Sequence, residues 1–342
     1  MNTQKSVDAV VSNPGSKRLS MRGLYPATLT PFNQDFSLDL EGLRAHLKSV
    51  ASARGVRGLV VNAALGEVLQ LSIDEQALIV REAARACQFD QLVIAGISSN
   101  GAKQAIGVAR AVKDAGAQAL LVFPPFDTRT YRRLLQHTPS VVSFFKELGE
   151  AVDLPLVIFQ YPQSSGCAYS IEVLNALSEL PHVVAIKAAP GTMEAYKPTW
   201  DSLRNKMSVL AAWDGPLLVE KLEYGAHGAL IGISNIEPSL WADLIEATAA
   251  HDVDRTRELF SRCAPIMSSV WENHKPTRIT SEVSATKEAL VQMGLFPSSR
   301  VRPPLLEVTN LVRAEIRVGL VEAGLVHDNQ ASSGTKVSSQ AA

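Results

Sequence analysis

The sequence predicts an α/β fold, a TIM (β/α)8 barrel carrying a C-terminal helical appendix. Eight short segments are apolar on both faces, each is followed by a longer amphipathic stretch, and no G-x-G-x-x-G turn follows the first of them. Strands buried on both faces and joined by helices are parallel, because a tight turn cannot close a parallel pair. Eight such repeats in about 220 residues suit a closed barrel better than an open doubly wound sheet, which more often has about five or six strands and a glycine-rich dinucleotide turn.

In order, the strands are expected at Leu24–Leu29, Gly58–Ala63, Leu92–Ile97, Ala119–Phe123, Leu156–Tyr161, Val183–Ala188, Ser208–Ala212 and Ala229–Ile233. After the second, Ser72 followed by Asp74-Glu75-Gln76 opens a helix: the serine accepts from the amide three residues on, and Glu75 completes a capping box. After the third, Asp114-Ala115-Gly116-Ala117 closes a helix with a glycine where a left-handed C-cap is expected. Beyond Ile233 the pattern is helical from Pro238 through Leu325, with Arg and Glu on the polar faces and Leu, Ile and Val on the other. The expected organisation is a barrel over 22–248 and a helical region over 249–325. The flanking tails, 1–21 and 326–342, are rich in Ser, Asn, Gln, Lys and Gly, lack periodicity and read as disordered.

Composition narrows the function. Of 342 residues, 46% are apolar and 20% charged, and 33 Lys plus Arg against 34 Asp plus Glu leave a net charge of -1. No basic block is interleaved with aromatics, so the expected partner is a small molecule and not a nucleic acid. No apolar run is long enough to cross a bilayer and the N-terminus lacks the core of a secretion signal, which leads us to expect no membrane association and a cytoplasmic protein. Cys87, Cys167 and Cys263 have neither metal-ligand spacing nor a secretory context and read as small core hydrophobes. No His/Asp/Glu cluster ends neighbouring strands, so neither metal nor cofactor is expected and a metal-dependent lyase is the weaker option.

In such barrels the site lies at the carboxyl ends of the strands. The candidates are therefore Asn62 to Glu67, Ser98 to Asn100, Pro124 to Phe126, Phe159 to Tyr161, Lys187, Ala212 to Asp214 and Gly232 to Asn235. Lys187, in His182-Val183-Val184-Ala185-Ile186-Lys187-Ala188, is the only lysine within an expected buried strand. A low-dielectric site weakens an amine's hold on its proton, which is how a lysine becomes able to attack a ketone and form a Schiff base. A lysine capping the strand end against a nearby carboxylate is the competing reading.

Other positions carry less. Glu67 reads as a structural carboxylate at a helix start rather than a general base. Asp214 either faces the mouth or belongs to an ordinary Asp-Gly turn. His227 sits at the bottom of the barrel, His274 has no suggestive neighbours, and Trp200, Trp213, Trp241 and Trp271 read as packing or interface aromatics.

Four motifs carry a family resemblance: Tyr25-Pro26-Ala27-Thr28-Leu29-Thr30-Pro31-Phe32, Gly66-Glu67 closing a degraded G-x-x-G-E, Gly96-Ile97-Ser98-Ser99-Asn100, and Ile186-Lys187. On these residues the chain resembles the dihydrodipicolinate synthase / N-acetylneuraminate lyase family of pyruvate-dependent class I aldolases, from Gly23 to the end of the appendix. The interval from Phe159 to Lys187 matches the family's spacing between catalytic tyrosine and lysine without a gap. The resemblance implies that Lys187 condenses with the ketone of pyruvate or a longer 2-oxo acid, that the protonated imine acts as electron sink, and that the protein is a homotetramer.

The departures are specific. The family's carboxylate pocket uses backbone amides and two hydroxyl residues of G-x-x-G-E; Ala64 and Leu65 stand there, so the amides survive and the hydroxyls do not. Amides of a loop leading into a helix can still hold a carboxylate. The proton-shuttling tyrosine of Y-N-x-P falls on Phe159 of Phe159-Gln160-Tyr161-Pro162, and phenylalanine neither donates nor accepts a proton. The synthase branch's arginine falls on Ser164, and Phe126 replaces a tyrosine after strand four. These losses argue against the synthase reaction and favour a less polar electrophile or another proton carrier.

Tyr161 is the replacement candidate, since residues i and i+2 of a strand share a face. It can equally pack under a loop with its hydroxyl on a carbonyl, or the carrier can be a water held by Ser98, Asn100 or Asn235. The expected site is thus Lys187 and Tyr161 as catalytic residues, with Ala64, Leu65, Phe159, Ser164 and Gly232 against the substrate. The expected function is a Schiff-base-forming lyase, in the aldolase, hydratase-aldolase or dehydratase direction. The alternative is a catalytically impaired 2-oxo acid binding protein on the same fold.

Overall fold

A computed structural model describes residues 19–125, 130–271 and 281–327. The expectations placed on Phe126 and His274, and on the outer parts of both tails, lie outside those residues. All eight expected strands form: β1 (Gly23–Pro26), β2 (Gly58–Val61), β3 (Leu92–Ile97), β4 (Ala119–Val122), β5 (Leu156–Gln160), β6 (Val183–Ala188), β7 (Ser208–Ala211) and β8 (Gly228–Ile231). They are short, rich in Val, Leu, Ile and Ala, and buried on both faces, as parallel strands under helices must be.

The pairing is parallel throughout, in the order β1-β8-β7-β6-β5-β4-β3-β2. Between β1 and β2 the ring is completed by isolated parallel bridges, Leu24 with Val56 and Ala27 with Val60, so the barrel is nearly closed. The helices on its outside are α1 (Leu40–Ser52), α2 (Ile73–Ala86), α3 (Ala102–Asp114), α4 (Thr138–Val152), α5 (Ile171–Ser178), α6 (Met193–Leu203), α7 (Leu217–Glu223) and α8 (Pro238–Ala249). Alternation along each strand divides the core in two. Tyr25, Val60, Ile94, Leu121, Val157, Leu210 and Leu230 point inward, while Leu24, Leu59, Val93, Leu120 and Ile158 meet the helices. Each fully buried Leu, Ile or Val contributes about 1.5–3 kcal/mol.

Local signals are realised where the sequence placed them. Ser72 and Glu75 form the reciprocal capping box of α2. Gly116 takes φ +113° beyond α3 and its amide donates to the Lys113 carbonyl at 2.9 Å.

The boundaries of the tails need correction. Met21 is fully buried in the barrel's inner cluster and its amide donates to Ser208 Oγ at 2.9 Å; Val326 packs against the outer core. The C-terminal region also departs from an unbroken helical run. Among the described residues it shows α9 (Val253–Ile266), a π-turn over Met267–Trp271, α10 (Glu282–Gln292) and α11 (Asn310–Glu322), and residues 293–309 are not helical. Gly294, at φ +72°, ends α10, and Pro297, Pro303 and Pro304 have no amide to continue it.

Candidate active site

The inward aim of Lys187 has a local cause in β6. Leu156 pairs with Val183 but Val157 pairs with Ala185, so Val184 is an extra residue and the strand bulges there. Val184 and Ala185 both join the inner cluster, and Lys187, two residues beyond Ala185, shares that face at the carboxyl end of the strand. Its register neighbours are Phe159 on β5 and Leu210 on β7. The amine lies 3.9 Å from the centroid of the Phe159 ring, and no ion pair ties it to a carboxylate among the described residues.

Burial pushes the Lys187 amine down to about 8, against the attraction of Asp214 and then Glu282. Near neutral pH a larger share of Lys187 is therefore uncharged than of a lysine in water.

The Phe159 ring beside the amine belongs to an aromatic stack. Phe159 stacks on Tyr161 with centroids 4.2 Å apart and planes at 25°, and Phe123, the residue after β4, meets Phe159 edge-on at 5.0 Å. Tyr161 therefore does share the face of Phe159, one pleat repeat toward the mouth. Burial raises the Tyr161 phenol above its ordinary range, with Cys167 and Glu282 acting in the same direction, so it keeps its proton at neutral pH.

The loop after β2 supplies a different chemistry. Among the described residues no group accepts from the amides of Ala64, Leu65 and Gly66. The loop is held by Thr30 Oγ1 donating to the Gly66 carbonyl at 2.9 Å and by the Glu67 amide donating to Ala64 at 3.0 Å. Ala64 packs against the inner cluster, whereas Leu65 lies over Gly232, so that a side chain added there would displace the Leu65 methyls.

Asp214 is not an exposed turn residue. It lies three residues beyond the end of β7, and its buried carboxylate accepts from the Gly232 amide at 3.0 Å. Burial pushes it up to about 6, with Lys187 opposing and Glu282 reinforcing the rise. Glu282, in the first turn of α10, acts electrostatically on Lys187, Asp214 and Tyr161, and no sequence pattern connects it to them.

Glu67 is structural, through partners the sequence did not suggest: Lys287 Nζ at 2.6 Å, fully buried with it, and the Arg302 amide at 2.9 Å. Asn235 donates through Nδ2 to the carbonyls of Ala27 and Gly232. Ser98 is half-buried, Asn100 exposed, and Ser164 exposed on the 3-10 turn after β5. His227 accepts from the Val209 amide at 2.9 Å, away from the mouth, and Trp241 is a core residue donating to the Ile236 carbonyl.

Comparison with known proteins agrees with this geometry. The model of the dihydrodipicolinate synthetase family matches residues 20–323. The 4-hydroxy-tetrahydrodipicolinate synthase of Methanothrix thermoacetophila is 30% identical over 297 residues, covering 86% of this chain and 95% of that protein. That of Archaeoglobus fulgidus is 30% identical over 292 residues, covering 84% and 93%. Among solved structures, the chloride-inhibited dihydrodipicolinate synthase of Acinetobacter baumannii complexed with pyruvate superposes with a TM-score of 0.79 at 26% identity, covering 90% of this chain and all of that one. The chain belongs to the dihydrodipicolinate synthetase family, whose members are class I pyruvate-dependent lyases built on a TIM barrel.

Proposed function

We propose that this protein is a Schiff-base-forming lyase that acts on pyruvate or another 2-oxo acid and is not a dihydrodipicolinate synthase in the strict sense. The observation that carries the reading is Lys187: an inward, desolvated amine at the barrel mouth, bound to no carboxylate among the described residues and inclined to lose its proton near neutral pH. The uncharged amine adds to the C2 carbonyl, water leaves, and the resulting iminium draws electrons from C3 so that a bond there forms or breaks. The amides of Ala64, Leu65 and Gly66 hold the carboxylate. The face of Phe159 favours the cationic iminium at the nitrogen it already touches. Tyr161 donates a proton at the outer edge of the ring stack.

Ala64, Leu65, Phe159 and the exposed Ser164 leave few polar groups for a charged acceptor, which supports a less polar electrophile. A homotetramer in the cytoplasm follows from the family resemblance, and no helix among the described residues is long and apolar enough to cross a membrane. The experiment is to mix the protein with pyruvate and borohydride and map the adduct. Labelling of Lys187 is expected; an unmodified Lys187 under conditions that label a known class I aldolase removes the proposal.

The missing phenol at Phe159 favours a second reading, a binding protein that keeps the imine but has lost turnover. A screen of pyruvate with aliphatic, sugar and aromatic aldehydes decides between them. Turnover that collapses in Lys187→Ala eliminates the binding protein.

A further inference from the structure

Lys221, on α7, is a second lysine with no contact to solvent. Its nitrogen donates to three backbone carbonyls, Pro190 at 2.8 Å, Ala212 at 3.2 Å and Ala188 at 3.5 Å. The rings of Tyr196, from α6, and Trp213, in the loop after β7, each stand 5.3 Å from it. No carboxylate pairs with it among the described residues. A buried cation without a counter-ion is costly, and here only carbonyl dipoles and ring faces hold it. When charged, the group has three N–H donors for these three acceptors; when burial has taken its proton, two remain.

The acceptors share a location. Ala188 ends β6 next to Lys187, Pro190 lies in the loop beyond, and Ala212 follows β7 two residues before Asp214. The Ala188 carbonyl also accepts from the Ala212 amide at 3.0 Å, so the cage closes over the last rung between the two strands. The loop with the free amides follows β2, which is separated from β6 by β3, β4 and β5 around the ring.

We propose that Lys221 is a positioning residue: its caged amino group clamps the carboxyl ends of β6 and β7 and thereby fixes the reactive amine of Lys187 relative to Asp214. The inference rests on Lys187 as the imine-forming residue. Lys221 touches neither substrate nor reacting atoms, so its loss slows imine formation without weakening the hold on the substrate carboxylate across the barrel.

The test measures the rate of borohydride-trapped adduct at Lys187 as a function of pyruvate concentration in the full chain, wild type and Lys221→Met. A misplacement of about 1 Å can cost about a hundredfold in rate, so the variant is expected to trap about 10–100-fold more slowly with its half-saturating pyruvate within about twofold of wild type. A purely structural role lowers stability but leaves that split unmoved. A labelled wild type with a variant of unchanged trapping rate overturns this inference alone, as does a parallel change in rate and half-saturation. An unlabelled wild type overturns both this inference and the imine reading. Should Lys221→Met not fold, Lys221→Gln keeps two donors on a shorter stem and must show the same split; failure of both to fold assigns Lys221 to folding and overturns the positioning role.

Discussion

Lys287→Met isolates the contact that ties the C-terminal region to the barrel. The carboxylate of Glu67 and the ammonium of Lys287 lie 2.6 Å apart with both side chains at 0% exposure. Removing the cation leaves Glu67 with the Arg302 amide as its remaining hydrogen-bond partner among the described residues and leaves the Arg300 carbonyl without the Lys287 donor. Breaking a buried pair from one side costs about 3–5 kcal/mol, because the surviving charge stays desolvated. Against a total stability of about 5–15 kcal/mol that is a large fraction. With a urea slope of about 3 kcal/mol/M, the midpoint should fall by about 1–2 M. The double variant Glu67→Gln, Lys287→Met removes both charges and should recover much of the loss. Urea unfolding followed by circular dichroism on wild type, both single variants and the double variant measures this. A Lys287→Met midpoint within about 0.3 M of wild type, or a double variant weaker than the sum of the singles, would refute the reasoning.

Other consequences follow from the same geometry. Lys187 and Lys221 are pushed down by burial to about 8 and about 7, below their unfolded values, so the unfolded chain holds more protons above pH 7. Stability should therefore rise from pH 7 to 8, below the range in which the thiols of the unfolded chain, whose shifts on folding have the opposite sign, titrate; urea midpoints at pH 7, 7.5 and 8 check it. Asp214→Asn removes a charge that favours the Lys187 ammonium, so the acid limb of adduct formation should move to lower pH. An unmoved or raised limb contradicts the assigned electrostatics. Phe159→Tyr places a phenol beside the amine and should speed deuterium exchange at C3 of pyruvate by about 10²-fold or more, read by NMR in D2O.

Periodicity and punctuation made the barrel legible. Two-face-apolar runs located all eight strands, and Ser72 and Gly116 marked helix ends, because those signals are local. Lys187 was legible for the same reason, as a cation inside an apolar run. The bulge at Val184 was not, since either register leaves an apolar residue facing in. Lys221 and Glu282 look like ordinary members of amphipathic helices, and only the closed ring brings them to the ends of β6 and β7 or near Lys187. Asp214 lay between the two cases: its place just after β7 was visible, but Asp-Gly has a commoner meaning.

The contact between Glu67 and the segment around Lys287 and Arg302 spans more than two hundred positions of chain, and so has a history in synthesis. A ribosome delivers Glu67 early and its cation only after every strand has been made. Until then the nascent barrel carries an uncompensated charge beneath the loop after β2. A fragment cut after α8 would contain Lys187 and all eight strands yet lack the piece that completes this wall, so proteolysis in the C-terminal quarter is expected to silence the protein without touching that amine.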